Sequence, residues 1–497
     1  MRGLSVHSRR ELLPGVLALG VIVACCTFIV VMTADRPSAL SPITHDGFFP
    51  RWMAGPLGGL WPGLTRNSSI QKDYFTGALA LMYVAYIAGI RYVPRVPLRL
   101  VIAAILAVHV ILVLAPPLAL TDVFNYVNYG RMEIVDHLNP YTTTPIYEPH
   151  TDPSFVLSNW HQLLSPYGPL FTMLTFLLVP LGVAGSFWAI KGILCVTSLA
   201  IIFLVYRCAQ HLGRNPIRAI ALVGLNPIVL IWGLGGDHND FLMMLMIILA
   251  LYLLLRARER SAGREPAAGL RGWLLPISYE ELGAGVALVT AVAIKASAAI
   301  LIPVVLAALV RAPRRLIGVL LGMAAAAVVL GGLSLLAFGL HLPDLSTQGN
   351  VVTNESIPNL LGLALGAGGE TNTLRLILTG VLGVWVLACC AYAFGRRRPG
   401  TGSPGETTDR VITACGWASV ALLVLLSWVL PWYVLWVLPL AALSSSRRLR
   451  TAMLVLGVYL IVAWSPASGA LWSAIGFHPE KTALGRLHQR YVKELLN

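Results

Sequence analysis

Residues 121–131 read TDVFNYVNYGR and follow directly on an apolar run that extends from residue 98 to about residue 118. If the chain continues there as a helix, one face carries carboxylates, an amide and phenols at positions i, i+3, i+4, i+7 and i+11. These side chains are Asp122, Asn125, Tyr126, Tyr129 and Glu133. The pattern favours a site where a substrate hydroxyl meets the Asp122 carboxylate as a base. The alternative is that Asp122 only caps a helix where it leaves a membrane.

The composition of the whole chain is that of a membrane protein. Of its 497 residues, 57% are hydrophobic and 12% are charged, and the mean hydropathy is +0.75, whereas a soluble domain carries about 25% charged residues. The net charge of +14 comes from short arginine clusters between apolar runs, as expected for cytoplasmic loops beside anionic lipid. The sequence therefore predicts an all-α polytopic membrane protein and excludes a nucleic-acid partner. The seven cysteines lie in or beside apolar segments without metal-binding spacing, and we interpret them as packing residues.

The arginine clusters also predict which segments share a side of the membrane. With the N-terminus inside, they place residues 119–169, 235–240, 341–373 and the turn at 431–433 outside. The functional groups then converge on one extracytoplasmic face of a plasma-membrane protein. The number of crossings places the C-terminal tail, residues 466–497, outside, whereas its basic residues favour the inside.

Three apolar segments do not fit simple crossings. Residues 170–183 are too few for a full span, and we predict a short interfacial or re-entrant helix. Residues 282–309 are too few for two full spans, and we predict a hairpin that turns near Lys295. Residues 411–445 are predicted to form a second hairpin. About thirteen helices would then enter the membrane. The predicted organisation is an N-terminal part (1–97), a catalytic core (98–465) and a tail (466–497).

Residues 235–240 read GGDHND and pack four polar side chains where the chain turns between two apolar segments. The glycines and Asp240 are explained by a tight turn and a helix cap. His238 is not explained in this way, and an imidazole here can bind a sugar or a phosphate or transfer a proton. An alternative is a metal site formed by Asp237, His238 and Asp240, but the sequence has no second ligand cluster with metal-binding spacing.

Lys295 lies inside a run that is otherwise apolar. Its insertion into a membrane costs about 2.5–3.5 kcal/mol unless an anion or water compensates the charge. We therefore predict that Lys295 binds a phosphate, with snorkelling as the alternative. Lys191 lies near the start of its apolar segment and is predicted to snorkel. The aromatic residues near the outer face, Trp432 and Tyr433 among them, suit an interfacial belt or sugar stacking.

Several short motifs together resemble one family of membrane enzymes. They are Asp122 with Tyr126 and Tyr129-Gly130-Arg131, Asn139-Pro140-Tyr141, Tyr167-Gly168-Pro169, Gly236-Asp237-His238-Asn239-Asp240, Lys295, and Pro431-Trp432-Tyr433. In this order they resemble the actinobacterial polyprenyl-phosphate-mannose-dependent alpha-1,6-mannosyltransferases, which are membrane glycosyltransferases of the GT-C type. The resemblance extends from about residue 98 to residue 465.

The resemblance implies a bundle of many helices with an extracytoplasmic active site and a polyprenyl-phosphate mannose donor. It implies inversion by single displacement, with Asp122 as base and with Lys295 and His238 at the departing phosphate. The lipid-linked donor is a substrate, and neither a cofactor nor a catalytic metal is expected. The acceptor would be a glycolipid or mannan in the synthesis of lipomannan and lipoarabinomannan. Further substrate contacts are expected from Asn125, Tyr126, Tyr129, Arg131, Glu133, Tyr167, Asp237, Asn239, Asp240, Trp432 and Tyr433.

Two other functions are compatible with the sequence. A transferase of the same type could use polyprenyl-phosphate arabinose, a pentose donor, or a hexose donor other than mannose, since donor choice depends on the shape of the pocket. A secondary transporter also uses ionisable groups inside a membrane. In this chain, however, those groups lie mostly at one face and no inverted repeat is visible, unlike in many transporters.

Overall fold

The computed structural model describes residues 6–34, 38, 40–42, 44, 48–60, 67–118, 121–262, 277–395 and 404–496. Throughout these residues the regular secondary structure is helical, and they contain no strand. The all-α prediction is therefore confirmed for the described chain. The composition of segments 256–281 and 396–410, which are rich in arginine, glycine and proline, predicts linkers, and these segments fall largely outside the described residues.

The α-helices are numbered here in chain order. They are α1 (Val6–Ala34), α2 (Ser68–Tyr92), α3 (Leu98–Leu114), α4 (Asp122–Ile134), α5 (Pro153–Leu157), α6 (Pro169–Phe176), α7 (Gly182–His211), α8 (Pro216–Gly224), α9 (Asp240–Ala262), α10 (Tyr279–Ile294), α11 (Ile302–Leu309), α12 (Pro313–Phe338), α13 (Leu345–Gly349), α14 (Ile357–Ala364), α15 (Asn372–Phe394), α16 (Pro404–Leu425), α17 (Leu438–Leu443), α18 (Arg447–Trp464), α19 (Ser468–Ala474) and α20 (Ala483–Leu496). A π-helical segment at Val229–Leu234 and 3₁₀ segments at Ala296–Leu301 and Pro431–Trp436 connect elements around the site.

The described residues include seven helices that are long and apolar enough to cross a membrane. An eighth results if Arg447–Trp464 and Ser468–Ala474, which meet at 82°, form one span. The polytopic membrane fold is thus confirmed, but the predicted number of about thirteen helices is not. Several predicted segments form helices too short to count as full spans, namely Leu98–Leu114, Ala296–Leu309 and Pro431–Leu443.

The predicted hairpin around Lys295 is present. Helix α10 begins beside the end of α9, where Glu280 pairs with Arg260 at 2.8 Å. It ends at Ile294, whose carbonyl accepts a hydrogen bond from the Gly168 amide at the opposite end of the bundle. Lys295 then adopts an extended backbone (φ −153°, ψ 123°), which breaks the helix. Helix α11 then runs back along the bundle. The turn at Lys295 therefore lies at the end of the bundle where α9 begins.

The other two irregular segments also agree with the predictions. The Ser445 amide donates to Asp409 at 2.7 Å, so the beginning of α16 and the end of α17 lie at the same end of the bundle. Helix α6 begins beside Ile294, whose carbonyl accepts the hydrogen bond from the Gly168 backbone amide. Helix α7 follows, and the centre of its Phe187 ring lies 5.6 Å from the centre of the Phe124 ring of α4. The segment 170–183 therefore stays at one end, as a short interfacial or re-entrant element does.

The two ends of the bundle differ in charge. One, called here the arginine-rich end, contains the ion pairs Arg214–Asp409, Arg260–Glu280 and Arg315–Glu281. The other, called here the cavity end, contains Asp122, Asp240 and Lys295. Helix α20 also lies at the cavity end. Its Tyr491 hydroxyl donates to the Thr347 carbonyl at 3.1 Å, and the Gln162 amide donates to the Leu495 carbonyl at 3.1 Å. The C-terminal tail thus shares the side of residues 119–169 and 341–373, as the number of crossings predicts.

Candidate active site

A cavity of about 250 Å³ opens at the cavity end. Its walls come from segments far apart in sequence: the loop after α3, the 341–373 loop, the turn before α17 and the last residues of α20. The lining residues are Thr121, Asp122, Tyr126, Tyr129, Asn159, Trp160, Leu163, Pro166, Tyr167, Lys295, Gln348, Val351, Trp428, Leu430, Trp432, Tyr433, Trp464 and Leu496. The structure thus brings 119–169, 341–373 and 431–433 together on one face.

Asp122 is the carboxylate on the cavity wall. It begins α4, and its side chain is 22% exposed. Its Oδ2 lies 3.4 Å from Nδ1 of His238. The imidazole is itself only 1% exposed and stacks on the Trp432 ring at 3.5 Å, with the planes 8° apart. His238 is therefore fixed behind Asp122 and does not line the cavity, so its position suits orienting the carboxylate.

The phenols around Asp122 are held in their neutral form. Tyr129 donates to the Leu163 carbonyl at 2.7 Å, and Tyr126 accepts a hydrogen bond from the Asn239 amide at 3.4 Å. Burial raises the pKa of both phenols well above the usual range, and the Asp122 carboxylate adds to the shift. Neutral phenols cannot serve as bases near pH 7, so of these three side chains Asp122 is the one that can accept a proton.

Lys295 lines the same cavity and has an acidic partner. Its Nζ lies 2.9 and 2.8 Å from the two carboxylate oxygens of Asp240, the first residue of α9. Asp240 also accepts a 2.6 Å hydrogen bond from the Trp436 indole and is 1% exposed. The Lys295 side chain is 18% exposed and lies 5.1 Å from the centre of the Tyr433 ring. The chain itself therefore compensates the charge of Lys295, while this side chain still reaches the cavity.

A second cavity of about 340 Å³ adjoins the first. The two share Pro166, Lys295, Gln348, Trp428 and Tyr433 as lining residues. The rest of the second cavity includes Leu345, Leu422 and Leu426 beside Ser297 and Ser427. Lys295 thus lies at the junction of the two cavities.

The expectation that Lys191 snorkels is wrong. Its Nζ lies 3.2 Å from both carboxylate oxygens of Asp237, and both side chains are 1% exposed. Asp237 adopts a left-handed backbone (φ 59°), and a β-carbon at Gly236 would clash with the Trp232 carbonyl and the His238 ring. The ion pair therefore stabilises the strained turn that presents His238 to Asp122.

Lys191→Met is expected to lower the free energy of unfolding by about 3–5 kcal/mol, because it leaves the Asp237 carboxylate buried without its partner. The double variant Lys191→Met/Asp237→Asn should recover most of this loss. Chemical unfolding in detergent, followed by tryptophan fluorescence, measures both variants. Equal stabilities of the single and the double variant would contradict a coupled pair.

The other predicted contacts are divided between the cavity and its surroundings. Tyr126, Tyr129, Tyr167, Trp432 and Tyr433 line the cavity. The remaining residues, Asn125, Arg131, Glu133, Asp237, Asn239 and Asp240, are not among the lining residues.

The surroundings of three of these residues differ in whether their polar groups have partners. Arg131 forms a two-pronged ion pair with Asp152, with the shortest contact at 2.6 Å. Asn125 and Asn239 are buried, and their side-chain amide groups have no hydrogen-bond partner among the described residues. Arg131 thus stabilises the loop that contains Asp152. The two side-chain amides, by contrast, are available to form hydrogen bonds with a ligand or a water molecule.

Sequence reasoning missed Gln348, Trp464 and Leu496 as lining residues. Each lies in a loop or at the end of a helix, outside any recognisable motif. These three residues have in common only that their segments lie at the cavity end. Side-chain type gave no indication of a role.

A carboxylate and a lysine that line one cavity of a polytopic membrane protein are typical of an enzyme active site. Residues 47–311 match the family model described as alpha-(1->6)-mannopyranosyltransferase, N-terminal domain, and residues 355–484 match the MptB C-terminal domain. The chain belongs to this alpha-(1->6)-mannopyranosyltransferase family, and the resemblance drawn from the motifs is confirmed.

Individual relatives bear similar names. Alpha-(1->6)-mannopyranosyltransferase A of Mycobacterium tuberculosis is 27% identical over 397 residues, which cover 74% of this chain and 70% of the relative. The protein of the same name from Corynebacterium glutamicum is 33% identical over 217 residues, or 42% of this chain and 38% of the relative. A probable alpha-(1->6)-mannopyranosyltransferase of Mycolicibacterium smegmatis is 26% identical over 404 residues, covering 72% and 67%. No solved structure matches. The chain is therefore a glycosyltransferase, which sets the transporter alternative aside.

Proposed function

We propose that this protein transfers a mannosyl group from polyprenyl-phosphate mannose to a mannan or lipoglycan acceptor. The new bond would be an alpha-1,6 linkage in lipomannan and lipoarabinomannan synthesis. The observation that carries the proposal is the joint placement of Asp122 and Lys295 in one cavity, with Lys295 also lining the adjoining cavity. The names of the relatives support the sugar and the linkage.

The donor fits across the junction of the two cavities. Its phosphate would meet the Lys295 ammonium, a compact cation that suits a phosphate group. The prenyl chain would follow the wall formed by Leu345, Leu422 and Leu426. The mannosyl group would then extend into the first cavity towards Asp122.

The reaction would be a single displacement with inversion. The acceptor hydroxyl oxygen attacks the anomeric carbon while the bond from that carbon to the phosphate oxygen breaks. Asp122 takes the hydroxyl proton, and polyprenyl phosphate leaves with the bonding electron pair. Lys295 stabilises the negative charge that develops on the phosphate. A departing monophosphate beside a lysine needs neither a cofactor nor a catalytic metal in this scheme.

His238 has a different role here from the phosphate contact expected from the sequence. Its Nδ1 faces the Asp122 carboxylate and its ring is covered by Trp432. We assign it to orienting the base. The rings of Trp160, Trp432 and Tyr433 line the space for the sugars and provide faces for stacking. Residue Leu496 closes the same space from the side of α20.

We also propose that the cavity end faces outwards from the plasma membrane, since the arginine-rich end then faces the cytoplasm. Tyr147→Cys and Leu342→Cys, at positions 76% and 72% exposed, should react with an impermeant maleimide in intact cells. Arg448→Cys, at the beginning of α18, should react only after the membrane is opened. Wild-type protein, with its seven native cysteines, gives the background. Protection of both outer positions in intact cells would reverse the orientation.

The donor is tested with membrane fractions that contain this protein. We expect transfer of radiolabel from polyprenyl-phosphate mannose to a short alpha-1,6-linked mannoside, with a product that an alpha-1,6-specific mannosidase digests. Polyprenyl-phosphate arabinose and a nucleotide-linked mannose serve as comparison donors. Transfer from the arabinose donor alone would replace the proposal by the arabinosyltransferase alternative. Equal transfer from the nucleotide donor would contradict the lipid-phosphate site.

A further inference from the structure

The positive charge of Lys295 is already shared with Asp240. Its Nζ lies 2.9 and 2.8 Å from the two carboxylate oxygens, so the pair as a whole is neutral. Among the described residues that line the two adjoining cavities, there is no second lysine and no arginine. An anion in a partly buried site is stabilised by hydrogen-bond donors as well as by a cation. A phosphate beside Lys295 therefore calls for further N–H or O–H groups at the same place.

The junction of the two cavities offers three side chains with such groups besides Lys295. They belong to Gln348, Trp428 and Tyr433, which all line both cavities. An indole or a phenol has one donor, whereas the amide of Gln348 has two donors and one acceptor. The Gln348 backbone carbonyl accepts a hydrogen bond from the Val351 amide at 3.1 Å. Its side chain forms no hydrogen bond within the described part of the chain, so Gln348 is the strongest candidate.

The backbone that carries Gln348 is held independently of its side chain. Asp344 caps the start of α13 by accepting a hydrogen bond from the Ser346 amide at 2.8 Å. The Tyr491 hydroxyl of α20 donates to the Thr347 carbonyl at 3.1 Å. These contacts fix the residues just before Gln348 and do not use its amide. Replacement of the Gln348 side chain should therefore preserve the structure of the loop.

We propose that the Gln348 side-chain amide donates a hydrogen bond to the phosphate of the lipid donor, beside the Lys295 ammonium. This inference rests on the proposed function and adds a residue to its donor site. A lysine ammonium acts on a phosphate as a point charge, whereas an amide N–H supplies a hydrogen bond of defined direction. Gln348 would thus fix the phosphate at the junction, with the sugar in the first cavity and the prenyl chain in the second.

The test compares Gln348→Met with Gln348→Glu in purified full-length protein. Methionine has a similar length but no N–H group, and glutamate has the same shape but brings a negative charge towards the phosphate. The ligand is polyprenyl phosphate without a sugar, and tryptophan fluorescence measures its binding. We expect Kd to rise about tenfold in Gln348→Met, the effect of one lost hydrogen bond to a charged group. Gln348→Glu should bind still more weakly.

Gln489 provides the matched control. It is an exposed glutamine of α20 at the same end of the bundle and lines neither cavity. Gln489→Met and Gln489→Glu should bind polyprenyl phosphate as the wild type does. In transfer assays, the Gln348 variants should show a higher KM for the lipid donor and an unchanged KM for the mannoside acceptor.

The possible failures are distinguishable. Wild-type affinity for polyprenyl phosphate in both Gln348 variants would overturn the contact and leave the proposed function intact. Tighter binding by Gln348→Glu than by Gln348→Met would also overturn it, because a carboxylate does not favour a phosphate. Loss of affinity for polyprenyl-phosphate mannose alone would make Gln348 a sugar contact instead. If the wild type neither bound polyprenyl phosphate nor transferred mannose from it, the proposed function would fail and the contact with it.

Discussion

Asp122→Asn is expected to lower mannosyl transfer by about 10²–10⁴-fold, the usual contribution of a general base. The amide has nearly the same shape as the carboxylate and can still begin α4, so folding should be preserved. It has no usable basicity at pH 7 and cannot accept the proton of the acceptor hydroxyl. Initial rates with saturating lipid donor and mannoside acceptor measure the effect.

The matched control for this substitution is Asp73→Asn. Asp73 is an exposed carboxylate of α2, and its replacement should leave the rate unchanged. Binding of the lipid donor should persist in Asp122→Asn, because the proposed phosphate contact at Lys295 is intact. If folded Asp122→Asn kept more than about a tenth of the wild-type rate, the loss would be too small for a general base. The base would then have to be Glu133, Asp237 or Asp240.

Lys295→Met is expected to lower kcat/KM for the lipid donor by about 10²–10³-fold, as loss of a group that stabilises developing charge does. The sequence alone suggests that the variant folds well, since a charge leaves the apolar run. The structure changes this expectation, because Asp240 is buried and would lose the ammonium group with which it pairs. The single variant should therefore also be less stable.

The double variant Lys295→Met/Asp240→Asn separates the two effects. It should recover stability, because no unpaired carboxylate remains, while donor use stays low. Rates measured with varied donor and then with varied acceptor distinguish donor binding from a general loss of activity. If the double variant recovered both stability and donor use, Lys295 would be a structural partner of Asp240 and not a phosphate ligand.

Local patterns in the sequence were sufficient for much of the architecture. Apolar runs define helices without reference to the rest of the chain, and runs too short for two spans indicate hairpins. Lys295 marked a turn because a charge inside an apolar run needs a cavity or a partner. The spacing of Asp122, Tyr126 and Tyr129 put them on one face of α4, and all three line the same cavity.

The sequence by itself determined the membrane class, the helical hairpins and the segments that meet at the cavity end, because hydrophobicity and charge act locally along the chain. Only the tertiary structure decided the ionic partners. Lys191 meets Asp237 across 46 positions, Lys295 meets Asp240 across 55, and Trp436 reaches Asp240 across 196. It also decided that α20 closes the cavity. Such pairings depend on how helices pack in three dimensions, and no periodicity in the chain encodes which charge lies beside which.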